Sequence, residues 1–92
     1  MCKILALDIA TKTGVAILDL GKRTIVGYYV EGSPTFQIRE ILREITADTI
    51  VVIEDFSYFT YPNPVTTAKL NQRLGYIYWR LVEENLTVHR YN

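Results

Sequence analysis

The chain has 92 residues, with ten Lys and Arg balanced by ten Asp and Glu, and 49% of it is apolar. That fits a single small domain, residues 1–92, with material for a core. It excludes a polybasic binder, so any nucleic-acid contact has to come from a local patch. A single cysteine, Cys2, excludes an internal disulfide framework and any multi-cysteine metal site. No apolar run approaches the roughly 20 residues that span a bilayer, and KILAL, interrupted by Asp8, is too short for a signal peptide. The expectation is a cytoplasmic protein with no membrane association.

Residues 3–9, with Ile4, Leu5, Ala6 and Leu7 in succession, read as a strand buried on both faces, as at the centre of a parallel sheet. ATKTG follows as a turn holding Gly14. VAILDL is a second strand, GKR a tight turn and TIVGYYVEG a third strand. The short connections make these three an antiparallel meander. Ser33 and Pro34 suit the N-cap and first position of a helix. Ile38, Ile41, Leu42 and Ile45 then recur at helical spacing, with Arg39, Glu40, Arg43 and Glu44 turned outward. TIVVIED is a fourth strand, again apolar until its end. YPNP breaks the chain, Asn63 caps a second helix beginning at Pro64 and running to about Leu86, and TVHRY is a fifth strand. The fold class is α/β, in the order β-β-β-α-β-α-β. A right-handed crossover through the first helix can set the fourth strand parallel to the first.

The two most apolar strands both end in acids, ILALD at Asp8 and IVVIED at Glu54 and Asp55. Ligands gather at the carboxyl ends of parallel strands in open sheets. Adjacent strands lie roughly 4.8 Å apart, so neighbouring first and fourth strands would bring Asp8 and Glu54 close together. Carboxylates that close repel unless a proton or a cation intervenes. Mg²⁺ is often held by one or two carboxylates plus substrate phosphate, and two such ions serve phosphodiester hydrolysis. Alternation puts Glu54 and Asp55 on opposite faces; Glu54 is the better partner for Asp8, and Asp55 reads as a turn residue. A strand also ends in an acid where it merely reaches solvent.

The second helix sorts into three stripes at about 100° per residue. Leu70, Leu74, Ile77 and Leu81 form the core face. Lys69, Arg73, Tyr76 and Arg80 form a basic stripe suited to DNA phosphates, with Tyr76 available to stack; Lys12, in the turn after Asp8, joins them. Ala68, Gly75, Trp79 and Val82 form a third stripe whose small residues and Trp suit close packing by another element, either the second subunit of a homodimer or a further C-terminal helix. FSYFTYPNP carries four aromatics that could stack on bases or fold back as a satellite cluster. His89, the only histidine, reads as an ordinary residue of the last strand.

Taken together, LALDIATKTGVAIL, IVVIEDFSYF and PNPVTTAKLNQRLGYIYWRLVEENLTVHRYN resemble the RuvC-type Holliday junction resolvases, within the ribonuclease H-like superfold, across essentially the whole chain. The resemblance implies a five-stranded mixed sheet and a Mg²⁺- or Mn²⁺-dependent endonuclease acting on branched or four-way DNA by a two-metal mechanism. It also implies a homodimer. Asp8 would be shared between two metals and Glu54 would bind one. Ala10 stands where related motifs often carry Gly. The family draws further acids from a C-terminal helix beyond the last strand, so the 92-residue chain reads as C-terminally incomplete, either a fragment or a reduced relative, with weak metal binding and poor or absent catalysis. Two other readings remain at this stage. One is an N-terminal piece of an actin-like ATPase or sugar kinase, with DIATKTG as a phosphate-binding turn. The other is a non-catalytic nucleic-acid-binding or assembly module.

Overall fold

Period-two alternation decides which side of each strand is covered. In the computed structural model, which describes residues 2–54 and 63–91, the strands are β1 (Lys3–Asp8), β2 (Lys12–Asp19), β3 (Thr24–Glu31), β4 (Thr49–Glu54) and β5 (Thr87–Tyr91). The helices are α1 (Pro34–Leu42) and α2 (Pro64–Glu83). Leu5, Leu7, Thr13, Val15, Val30, Thr49, Val51 and Ile53 are all buried and share one face of the sheet. The apolar ones form a single cluster with Ile38 and Ile41 of α1 and Leu74, Ile77 and Leu81 of α2. Both helices therefore lie on that face, and α1 packs against α2. Helix α1 is capped by Ser33, whose Oγ accepts from the Phe36 N–H at 3.2 Å; in α2 the Asn63 Oδ1 accepts from the Val65 N–H at 2.9 Å.

The strand order is β3-β2-β1-β4-β5, a mixed sheet in which β1 pairs antiparallel with β2 and parallel with β4. Strands β4 and β5 are also parallel neighbours. The element order and the parallel placement of β4 beside β1 agree with the sequence reading.

The expectation that β1 and β4 are buried on both faces does not hold among the described residues. Ile4, Ala6, Ile50 and Val52 alternate with the buried positions and are only half-buried, because both helices cover the opposite side. Gly14 is also misplaced as a turn residue, since β2 already begins at Lys12. The turn is closed instead by Thr13, whose Oγ1 accepts from the Ala10 N–H at 3.1 Å and donates to the Ala10 carbonyl at 2.7 Å.

Candidate functional site

Register assembles the site. Leu7 of β1 pairs with Ile53 of β4, so the next positions along these parallel strands, Asp8 and Glu54, stand side by side at their carboxyl ends. Both fall on the face opposite the helices, where strand spacing separates their backbones by roughly 4.8 Å. Asp8 is exposed and Glu54 half-buried. They line one cavity of about 380 Å³ together with Gly14, Tyr29 and Tyr91. Among the described residues neither carboxylate makes a side-chain hydrogen bond or an ion pair.

Two adjacent acids without a cationic partner suit a hard divalent ion, which takes oxygen ligands and completes its shell with water and phosphate. No group of three or more His, Cys, Asp or Glu gathers among the described residues, so the donor set there is this pair. Asp55 and the aromatics of FSYFTYP lie outside the described residues.

The turn after Asp8 is braced from beneath. Gln37 of α1 is fully buried, and its Nε2 donates its two hydrogens, one of them shared, to the carbonyls of Ala10 at 2.9 Å, Thr11 at 3.0 Å and Val30 at 2.8 Å. Arg73 of α2 donates from Nη1 to Gln37 Oε1 at 2.8 Å and to the Gly32 carbonyl at 2.7 Å. Gly32 adopts φ +140°, where a Cβ would also come within 3.1 Å of the Phe36 ring. The buried acceptors are thus satisfied by one amide and one guanidinium, each fixed by the other.

This alters the basic stripe. Arg73, expected at phosphate, spends Nη1 inside the protein. Lys69 is exposed and lines a cavity beside the β1–β2 turn with Lys12, Thr11 and Arg73. Tyr76 shares a cavity at the start of α1 with Lys69 and Arg73 and a second one against α1 with Arg80, whose Nε lies 3.6 Å from Glu83 Oε1. The stripe lies on the helical side of the sheet, and its Lys69 and Arg73 end meets Lys12 beside the turn that follows Asp8. Of the proposed DNA contacts, Lys12 reaches the carboxylate face, its Nζ 4.8 Å from the centroid of the Tyr29 ring. Ala68, Gly75, Trp79 and Val82 are all exposed along α2, Trp79 at 58%.

A mixed five-stranded sheet with two helices on one face, in this strand order, is a ribonuclease H-like α/β fold. No family model matches the chain, and no curated protein matches it. Among solved structures it is similar to Thermus thermophilus RuvC in complex with Holliday junction substrate, with a TM-score of 0.72 and 18% sequence identity. The match covers 99% of this chain and 64% of that one, so the chain spans less than two thirds of the RuvC it resembles. At that identity the likeness establishes the shared fold.

Proposed function

We propose that the chain is a divalent-metal-dependent DNA endonuclease domain of RuvC type, which hydrolyses phosphodiesters in branched or four-way DNA. The observation that carries this reading is the adjacency of Asp8 and Glu54 at the carboxyl ends of two parallel strands, on one face and in one cavity. When bound, Mg²⁺ or Mn²⁺ supplies Lewis acidity and relieves the repulsion between the two acids. Asp8 and Glu54 would hold the metal, and the site they form is where a scissile phosphate would be received. Gln37 holds the turn that follows Asp8, so that the carboxylate sits on a constrained backbone. Lys12 offers a positive charge on the same face for a neighbouring phosphate. A homodimer through Ala68, Gly75, Trp79 and Val82 would match the two-fold symmetry of a junction.

The phosphate-turn reading is weaker. The Ala10 N–H, which a phosphate cradle would aim at its ligand, is already engaged by Thr13 Oγ1. The test is binding and cleavage of a four-way DNA junction in Mg²⁺, beside a duplex of the same sequence. The expected result is preference for the junction, with cleavage reduced at least 100-fold in Asp8→Asn, on the order of the loss of a charge-stabilising group. Heat of binding for ATP, with no junction binding, would retire the nuclease reading.

A further inference from the structure

The pairing register extends the Asp8–Glu54 adjacency across the whole sheet. Tyr29 of β3 pairs with Gly14 of β2, Gly14 with Asp8 of β1, and Glu54 of β4 with Tyr91 of β5. Tyr29, Gly14, Asp8, Glu54 and Tyr91 thus form one row on the open face, roughly 19 Å from end to end over four strand intervals. One row back along the strands stand Gly27, Ala16 and Ala6, again paired in register. Small side chains floor the cavity there, and large ones stand at the two ends of the row in front. Both tyrosines are well exposed, Tyr29 at 68% and Tyr91 at 53%. Gly14 keeps a notch between Tyr29 and Asp8: a Cβ there would touch the Asp8 Cβ at 3.6 Å and Tyr29 Cε1 at 3.7 Å.

We propose that Tyr29 and Tyr91 are stacking platforms for unpaired nucleobases on either side of the carboxylate pair, so that the site takes a strand whose bases are unstacked from a duplex. The inference deepens the nuclease reading and rests on it for the role of the acids. A phenol ring offers an apolar face to any base, which makes such a contact tolerant of sequence. An exposed aromatic at each end of a trough, with carboxylates between them, suits a polyanion only if positive charge is present. Lys12 supplies it at Tyr29, with its ammonium against one side of the ring. A paired duplex would hide its base faces from both rings.

The probe is a single-stranded DNA oligonucleotide carrying a fluorescent adenine analogue whose emission falls on stacking, titrated with the full chain. The same strand annealed to its complement is the control. Tyr29→Thr and Tyr91→Thr remove the rings while keeping strand-forming residues, and Tyr29→Phe and Tyr91→Phe keep the rings. Each Thr variant should weaken single-strand binding about 5- to 100-fold, the loss of one stacked base, and reduce the quenching. Each Phe variant should bind within about twofold of the parent. Thr variants that bind as tightly as the parent overturn the inference, as does a parent chain that fails to bind the single strand or prefers the duplex. It is equally overturned if the Thr variants change only the sedimentation mass, which would make the face a contact between copies. Single-strand binding that depends on the tyrosines, without any Asp8-dependent response to Mg²⁺, would retire hydrolysis and keep the stacking site. The opposite pattern would keep the metal site and retire the stacking.

Discussion

Gln37 shows how one side chain can hold a site together without touching it. Its amide serves three carbonyls around the turn that follows Asp8, and its own oxygen is held by Arg73. Gln37→Met keeps the volume but removes a donor from the buried Val30 carbonyl and an acceptor from the Arg73 guanidinium, so it should cost about 2 kcal/mol or more. In a domain of this size that lowers Tm by roughly 8–16 °C, measurable by circular dichroism; an unchanged Tm would make the network dispensable. Sequence reasoning passed over Gln37 because it looks like one more polar helix residue. Its position beside Ile38 and one turn before Ile41, on the apolar stripe, was the available signal. Tyr28 offers a separate test at this scale. Burial raises its phenol above the ordinary value of 10.0, and the charges of Glu44 and then Glu40 push the same way. The folded state therefore keeps the proton at pH values where the unfolded chain releases it. Stability should be intact below about pH 10 and fall as pH rises through the folded value, and Tyr28→Phe should flatten that fall. Equal alkaline slopes in both proteins would contradict this placement of the phenol.

At the scale of elements, the helix caps and the presence of the strands were readable because each is written locally: Ser33-Pro34, Asn63-Pro64, and the unbroken apolar runs of β1 and β4; that those two strands are covered on one face only was not. Strand pairing is not local. That Tyr29 and Tyr91 share a row with Asp8 and Glu54 depends on the registers of four strand pairs, and no spacing in the chain encodes it. Gly14 illustrates the same limit. Read locally it belongs to a turn; in the sheet it is a strand residue whose missing side chain leaves space between Asp8 and Tyr29. Helix α2 carries another glycine in an exposed interior position, where a Cβ at Gly75 would meet nothing within 4 Å. Gly75→Ala should therefore gain up to about 1 kcal/mol of helix stability and raise Tm by roughly 4–8 °C in dilute solution. If the stripe of Ala68, Gly75, Trp79 and Val82 joins two copies closely, the same change should shift sedimentation toward monomer. A lowered Tm with no change in mass would contradict both statements.

The whole molecule has two unlike sides. One face of the sheet is sealed by two helices around a single core, and the other presents a carboxylate pair between exposed aromatics. The sequence made the acids visible as strand ends, yet it also suggested a basic helix beside them. The fold puts α2 on the sealed side, where its Lys69 and Arg73 meet Lys12 beside the β1–β2 turn, and Lys12 stands over Tyr29 on the open face. For the proposed chemistry, Asp8 and Glu54 have above all to act as one cation site. The most direct measurement is Tm as a function of Mg²⁺ or Mn²⁺ concentration, for the parent chain, Asp8→Asn and Glu54→Gln. An ion that binds only the folded chain adds about 2.7 kcal/mol of stability at a hundredfold excess over its Kd. The parent Tm should climb with metal, and both variants should stay flat while remaining folded. A parent Tm indifferent to metal, or variants that climb as steeply as the parent, would mean that these acids end their strands merely because the strands reach water.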